Sequence, residues 1–307
     1  MIVKNKINIG KLYSFTKGNL WFLIISTLFA ALATYMWDET IFKGLSYPAG
    51  FLGTALAFLI GFRNNSGYDR WWEARKIWGK LVNDSRHFGL KVVGFISNHW
   101  NQSEDKSYIK EEQRILIYRH TAFVWALNKH LRKLDWEDTV KPFLDKDEFQ
   151  QLKKEKHIPL AILKNQILHL KRLYENKFTD DFRHMQFDAI MENFNDALGK
   201  SERIKNTVFP MQYNWFMKYA ISVFSFIFPF SLAGHLAYWS IPFSLLIGYV
   251  FIMLEYVGRY IETPFENQVN DTPMDALSRT IEINLRELLD EKNLPETIKP
   301  IKEMYLY

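Results

Sequence analysis

The chain has no cysteine among its 307 residues. This absence excludes disulfides, thiol catalysis and zinc–thiolate sites. The sequence also lacks a P-loop, a glycine-rich dinucleotide fingerprint and a G-x-S-x-G nucleophile motif. None of its eight histidines stands at a recognised metal-ligand spacing from a second histidine or a carboxylate. We therefore expect neither an enzyme nor a bound cofactor.

Aromatic and apolar side chains, by contrast, are abundant. Hydrophobic residues make up 48% of the chain and aromatic residues 16%, yet the mean hydropathy is only −0.19. The two values fit together if apolar membrane spans are joined to a large charged part, because aromatic rings favour membrane interfaces. The net charge of +5 is typical of nucleic-acid binding or of the basic cytoplasmic side of a membrane protein. Without a nucleic-acid motif, the second interpretation is favoured and no nucleic-acid partner is expected.

Four apolar runs have about the length needed to cross a bilayer core. They cover residues 19–37, 45–62, 215–239 and 241–257. Lysine and arginine lie before the first run, after the second, at the start of the third and after the fourth. This bias predicts a multi-pass protein of the cell membrane with both termini and the long middle segment in the cytoplasm.

The middle segment is predicted to be helical, because apolar residues recur in it at helical spacing. One helix is expected over residues 107–134, with a stripe formed by Ile109, Leu116, His120, Phe123 and Leu127. A second stripe consists of Phe182, Met185, Ala189, Ile190, Phe194, Ala197 and Leu198. Thr179, Asp180 and Asp181 supply N-caps in front of it. Both stripes, and His130 further along the first helix, are interpreted as helix packing or helix surface.

The predicted organisation has four parts. Residues 1–62 hold the first two membrane helices, residues 63–214 a cytosolic helical domain, residues 215–260 two further membrane helices and residues 261–307 a cytosolic C-terminal segment. Within the second run, Thr54, Phe58 and Phe62 are spaced four apart and share one helical face. This stripe suits lipid contact or helix packing, or a hydrophobic constriction around a symmetry axis.

Three segments resemble the bestrophin ion-channel family, in particular its prokaryotic members. The most specific is FRNNSGYDRWWEARKIWG at residues 62–79, in which Arg70, Trp71 and Trp72 match the RWW of animal bestrophins. HIPLAILKNQI at residues 157–167 resembles a proline-anchored helix start of the cytosolic domain. ETPFENQVNDTPMD at residues 262–275 resembles the acidic segment that follows the last membrane helix.

The resemblance implies an all-α membrane protein that assembles as a homopentamer around one axial pore. The helix of residues 48–62 would form the pore neck, with Thr54, Phe58 and Phe62 facing the axis. Thr54 departs from the apolar residue that the family usually has there. The match at Pro159 implies a cytosolic aperture at Leu160, with Ile158 and Ile162 as alternatives.

Animal members of the family hold calcium in the acidic segment after the last helix. Here Asp271 falls where a clasp carboxylate is expected, and Gln268 stands where another belongs. Because calcium is bound by several oxygen ligands including carboxylates, Asp271 and Asp275 are weak metal candidates. We expect no calcium activation, and the alternative interpretation is that both aspartates cap a helix over residues 275–290.

These observations predict a channel that passes small monovalent ions through the bilayer, with anions such as chloride favoured. One alternative is a monovalent cation channel, for example for sodium, with the same fold. A second is a membrane-anchored interaction protein that conducts nothing. A coupled transporter usually has ionisable groups inside the membrane, and the first two runs contain none.

Overall fold

The structure is a computed structural model that describes residues 9–36, 39–97, 106–207 and 209–300. This part of the chain contains ten α-helices, three 3-10 segments and no β-strand, which confirms the predicted all-α fold. The α-helices are α1 Ile9–Met36, α2 Ser46–Phe95, α3 Lys106–Arg132, α4 Glu137–Val140, α5 Lys146–Leu152, α6 Ile158–Glu175, α7 Asp181–Asn206, α8 Met211–Leu236, α9 Ser240–Ile261 and α10 Met274–Glu287. The 3-10 segments are Glu39–Leu45, Lys141–Phe143 and Ala237–Trp239.

The chain divides into two compact units. Among the described residues, the first unit contains 9–71 and 209–263, and the second contains 72–207 and 264–300. Residues 46–71 of α2 belong to the first unit and residues 72–95 to the second. No helix boundary therefore marks the place where the apolar run at residues 45–62 gives way to the basic stretch after it.

The first unit is built from α1, the beginning of α2, α8 and α9. Its core is a cluster of buried side chains: Leu23, Leu56, Ile60, Met217, Ile221, Phe224 and Ile252. The helices approach closely at glycines. A Cβ atom added to Gly248 on α9 would lie 2.5 Å from the Leu23 side chain of α1, so the buried leucine would have to shift. The small residue therefore permits this packing, as in many membrane helix pairs.

Two stretches of helix in the described chain have the length and apolarity needed to cross a membrane, Phe42–Phe95 and Met211–Ile261, and Leu20–Ala33 is a shorter apolar helix. The four predicted runs fall on four different α-helices, namely α1, α2, α8 and α9. Trp37, at the end of the first run, lies outside the described residues. Four separate membrane crossings remain a prediction.

The core of the second unit is centred on α3. The predicted stripe Ile109, Leu116, His120, Phe123 and Leu127 is buried throughout, which confirms its interpretation as packing. The Phe88 ring of α2 lies 5.0 Å from the His120 ring, 6.1 Å from the Phe187 ring and 5.7 Å from the Phe194 ring, measured between centroids. This aromatic cluster joins α2, α3 and α7 in the middle of the unit.

The stripe predicted on α7 is only partly correct. Ile190, Phe194, Ala197 and Leu198 are buried as expected. Phe182, however, is 81% exposed, and Met185 and Ala189 are also exposed. Nothing in the described chain covers this face of the first two turns, so helical spacing predicted the shared face but not the length over which it is covered.

Helix ends agree with the local sequence signals. The Asp180 side chain accepts a hydrogen bond from the Arg183 backbone N–H at 3.0 Å and caps α7, which confirms the predicted N-cap. Helix α3 ends at Arg132, one residue before Lys133, whose φ of 54° is incompatible with continuing the helix. Both α3 and α10 lie within a few residues of their predicted bounds.

Replacing Phe88 with alanine is expected to destabilise the second unit by about 3–5 kcal/mol, because it leaves a cavity among three aromatic rings. Thermal unfolding of the full-length protein in detergent measures this loss as a lower transition midpoint. Leu90→Ala, on the exposed face of the same helical turn, is the matched control. Equal midpoints for the two variants would contradict the central role of the aromatic cluster.

Candidate pore-lining site

The beginning of α2 has two distinct faces. The buried positions are Ala49, Leu56, Ile60, Arg63 and Gly67, spaced by three, four or seven residues. On the opposite face, Thr54, Phe58 and Phe62 are all exposed, Phe58 to 66% and Phe62 to 56%. The three residues singled out from the sequence therefore lie together on the face of α2 that points away from the core of the first unit.

The exposed stripe is almost entirely apolar. The Phe58 and Phe62 ring centroids are 4.6 Å apart, with the ring planes at 83°. The Thr54 hydroxyl donates to the Gly50 carbonyl oxygen at 3.0 Å, so its single donor is used within the helix. Such a surface offers an ion no substitute for its hydration shell, which is the property of a hydrophobic constriction that controls permeation through wetting.

Phe51 belongs to the same stripe, although the sequence interpretation did not include it. It stands seven residues before Phe58, hence on the same helical face, and is among the most exposed phenylalanines of the described chain. The seven-residue spacing was visible in the sequence. Thr54, Phe58 and Phe62 follow a four-residue spacing, and Phe51 does not fall on it because it stands three residues before Thr54.

Arg63 follows the stripe directly and faces the other way. Its side chain is 1% exposed, and its two terminal nitrogens bind two carboxylates, Glu255 Oε1 at 3.3 Å and Glu262 Oε2 at 3.1 Å. Glu255 lies near the end of α9, Glu262 directly follows the helix, and Glu255 also binds Arg259 at 3.0 Å. One buried guanidinium therefore ties α2 to the end of α9, and this ion cluster sets the rotation of α2 about its own axis.

Arg70, seven residues after Arg63, also contacts Glu262. Its Nε atom donates to the Glu262 carbonyl oxygen at 2.9 Å. Arg63 and Arg70 are seven residues apart and share a face of α2. The basic residues at both ends of the RNNSGYDR segment thus have a structural role, because they hold the same stretch of chain after α9.

The three candidate aperture residues differ in exposure. Leu160, in the first turn of α6, is 48% exposed. Ile162 is fully buried in the core of the second unit, and Ile158 is partly buried against it. Leu160 therefore has the most exposed side chain of the three, and its place in an aperture remains a prediction.

Asp271 and Asp275 already have protein partners. Asp271 is buried and accepts from the Gln268 backbone N–H at 3.0 Å, and burial raises its pKa to about 6. Asp275 accepts from Asn128 Nδ2 at 2.8 Å and from Arg132 Nη1 at 2.7 Å. The residue before α10 is Pro273, with no side-chain cap, so the helix-capping interpretation is wrong. The two acids instead close a turn and bind α3.

His120 and His130 of α3 lie in different environments. His120 is fully buried, its Nε2 atom lies 2.8 Å from Ser85 Oγ, and burial lowers its pKa to about 3, as suits a neutral packing residue. His130 instead meets His157 and Glu202, although the glutamate lies 72 and 45 positions from the two histidines along the chain. Spacing along the sequence did not reveal this group, because its three members come together only in the tertiary structure.

Replacing Arg63 with alanine is expected to cost about 3–5 kcal/mol of stability, because it leaves Glu262 buried without its ion-pair partner and Glu255 with Arg259 alone. Arg259→Ala, which removes a largely exposed partner of the same Glu255, is expected to have a much smaller effect. Thermal unfolding in detergent, followed by size-exclusion chromatography, compares the two. If the two variants lowered the unfolding midpoint by similar amounts, Arg63 would not be the residue that holds α2 in place.

The comparisons with known proteins agree with one another. The family described as Bacterial/Fungal Bestrophin protein matches residues 1–287. The voltage-dependent anion channel-forming protein YneE of Escherichia coli K12 is 28% identical over 289 residues, which cover 92% of this chain and 91% of that protein. YneE of Salmonella typhi is 30% identical over 262 residues, which cover 84% of this chain and 82% of that protein. The crystal structure of a mutated bacterial bestrophin homologue from Klebsiella pneumoniae has a TM-score of 0.80 at 25% identity and covers 90% of this chain and 99% of its own. The chain therefore belongs to the bestrophin family, in its bacterial and fungal branch.

Proposed function

We propose that this protein is a pentameric channel that passes small monovalent ions, chloride preferred, across a prokaryotic plasma or inner membrane. The observation that carries the proposal is the exposed apolar stripe of Thr54, Phe58 and Phe62, held outward by the buried Arg63 cluster on the opposite face. The relatives named as anion channel-forming proteins support both conduction and the sign of the ion.

Conduction requires several copies of the chain. A stripe on the outside of one chain lines a pore only when copies surround a common axis. In this arrangement α1, the beginning of α2, α8 and α9 cross the membrane and both termini are cytoplasmic. Further exposed apolar side chains on α1, such as Trp21, Ile25, Leu28 and Phe29, suit contact with lipid or with a neighbouring subunit.

The neck and the aperture would act as two apolar constrictions. Rings of Phe58 and Phe62 narrow the first, with Phe51 on the same face of α2, and Leu160 forms the second. An aromatic ring has a positive edge and a negative face. Rings presented edge-on to the axis favour anions, and rings presented face-on favour sodium or another monovalent cation, which is the alternative selectivity.

Calcium has no part in the proposed mechanism. Asp275 is bound to Arg132, and Gln268 contributes its backbone N–H to Asp271 rather than a carboxylate to a cation. A calcium ion would have to displace an arginine from one acid and would gain a single clasp carboxylate from the other.

Native mass spectrometry of the full-length protein in detergent tests the assembly. We expect a particle of five times the chain mass of 36.5 kDa. A monomer would remove the axial pore and with it the proposed function, whatever the stability of the chain.

Phe58→Ala and Phe62→Ala are expected to raise ion flux through the protein in liposomes by about two- to tenfold, because smaller side chains widen and wet an apolar neck. Phe243→Ala on α9, an exposed phenylalanine outside α2, is the matched control and should leave the flux unchanged.

In planar bilayers with asymmetric sodium chloride, the reversal potential is expected to shift toward the chloride equilibrium value, and added calcium is expected to leave the current unchanged. A shift of the opposite sign would establish the sodium-selective alternative. No flux from the wild type, Phe58→Ala or Phe62→Ala would favour a non-conducting interaction protein.

A further inference from the structure

Three side chains with metal-ligand chemistry meet in the second unit, far along the sequence from the proposed neck. His130 lies near the end of α3, His157 directly precedes α6, and Glu202 lies near the end of α7. Glu202 Oε1 is 2.7 Å from His130 Nε2 and 2.8 Å from His157 Nε2. The two imidazole centroids are 4.8 Å apart, and both Nε2 atoms contact the same carboxylate oxygen.

We propose that His130, His157 and Glu202 form a binding site for a zinc ion. Their ligand atoms all lie within 4.8 Å of one another. Two imidazole nitrogens and one carboxylate oxygen are a ligand set that zinc accepts with a water in the fourth position. Imidazole ligands select zinc and related transition metals over magnesium and calcium, which prefer oxygen.

The geometry needs only a small adjustment to admit the ion. Two ligands of a tetrahedral zinc lie about 3.4 Å apart, given bond lengths of about 2.1 Å. The present nitrogen–oxygen distances are shorter because hydrogen bonds join the groups directly. Small rotations of the Glu202 carboxylate and of the two rings would open this separation without moving a helix.

The site is accessible for metal entry and for the fourth ligand. All three side chains are partly exposed. His130 and Glu202 also line a cavity of about 540 Å³, together with Trp136, Ile158 and several charged residues. Water or a small anion can therefore reach the open coordination position from this cavity.

Four lysines lie around the cavity, and their positive charge opposes the binding of a cation. Two of them are neutralised by glutamates. Lys153 pairs with Glu137, and Lys205 pairs with Glu266 at 2.7 Å. Lys133 and Lys156 also line the cavity and are exposed, so water screens their charge. The C-terminal ends of α3 and α7, where His130 and Glu202 lie, carry partial negative charge that favours a cation.

Metal binding would also change the start of α6. The His157 Nδ1 atom accepts from the Leu160 backbone N–H at 3.3 Å, which places the proton of a neutral ring on Nε2. A zinc ion on Nε2 requires the proton on Nδ1, so the ring would cease to accept from Leu160. Because zinc competes with protons for the same nitrogens, the affinity is expected to fall in acid.

The test uses full-length protein in detergent, free of any polyhistidine tag and stripped of metal with a chelator. After incubation with zinc chloride and removal of free metal, the retained zinc is measured by mass spectrometry. The wild type is expected to retain roughly one zinc ion per chain more than each ligand variant. Its affinity, measured by competition with a zinc dye, should exceed theirs roughly tenfold or more.

The variants are chosen to preserve the fold. Glu202→Gln keeps the shape and hydrogen-bonding capacity of the side chain but removes its charge, and His157→Asn keeps an N-cap for α6. His130→Ala completes the set, and His87→Ala, an exposed histidine of the same unit, is the control that should bind as the wild type does. Unfolding midpoints without metal establish that each variant is folded, and addition of zinc should raise the midpoint of the wild type and of His87→Ala alone.

Equal zinc retention by the wild type and Glu202→Gln would overturn the proposal, whether both retain none or both retain several ions. In the first case the two histidines and the glutamate only join three helices through hydrogen bonds. In the second, the zinc is bound adventitiously elsewhere on the surface. Neither result bears on conduction, so this inference and the channel proposal fail or stand separately.

Discussion

The buried charge of Arg63 is the constraint on which the rest of the first unit depends. A guanidinium with 1% exposure can be held in an apolar helix bundle only if acids surround it, and Glu255 and Glu262 do so from the end of α9. Once Arg63 faces inward, the residues on the other side of α2 have to face outward. The orientation of Thr54, Phe58 and Phe62 is thus a consequence of an ion pair formed by the neighbouring residue.

This arrangement explains why a chain with a well-packed core still has many exposed aromatic and aliphatic side chains. Leu23, Leu56, Ile60 and Phe224 fill the inside of the first unit, while Phe51, Phe58 and Phe62 remain outside. An apolar exterior of this kind is stable only next to lipid, another subunit or a pore that excludes bulk water. In the pentamer proposed here, one α2 from each subunit would place its stripe around the axis.

The second unit is organised by different physics. Its centre is an aromatic cluster around Phe88, and polar side chains such as Asp275 and Arg132 connect the helices at its margin. His157 occupies a special place because it caps α6 three residues before Leu160 and also contacts Glu202. A change at His157 would therefore alter the first turn of α6, which contains the candidate aperture residue Leu160.

Much of this protein follows from local patterns in its sequence. The apolar runs, the helical spacing on α3 and the acidic cap before α7 depend on residues a few positions apart, and the structure has helices where these patterns predict them. The shared face of Thr54, Phe58 and Phe62 likewise follows from a four-residue spacing. The tertiary structure decided which way that face points, because the partners of Arg63 lie 192 and 199 residues away. It also decided the exposure of Phe182 and the meeting of His130 with His157 and Glu202, since a helical period defines a face but does not specify what packs against it.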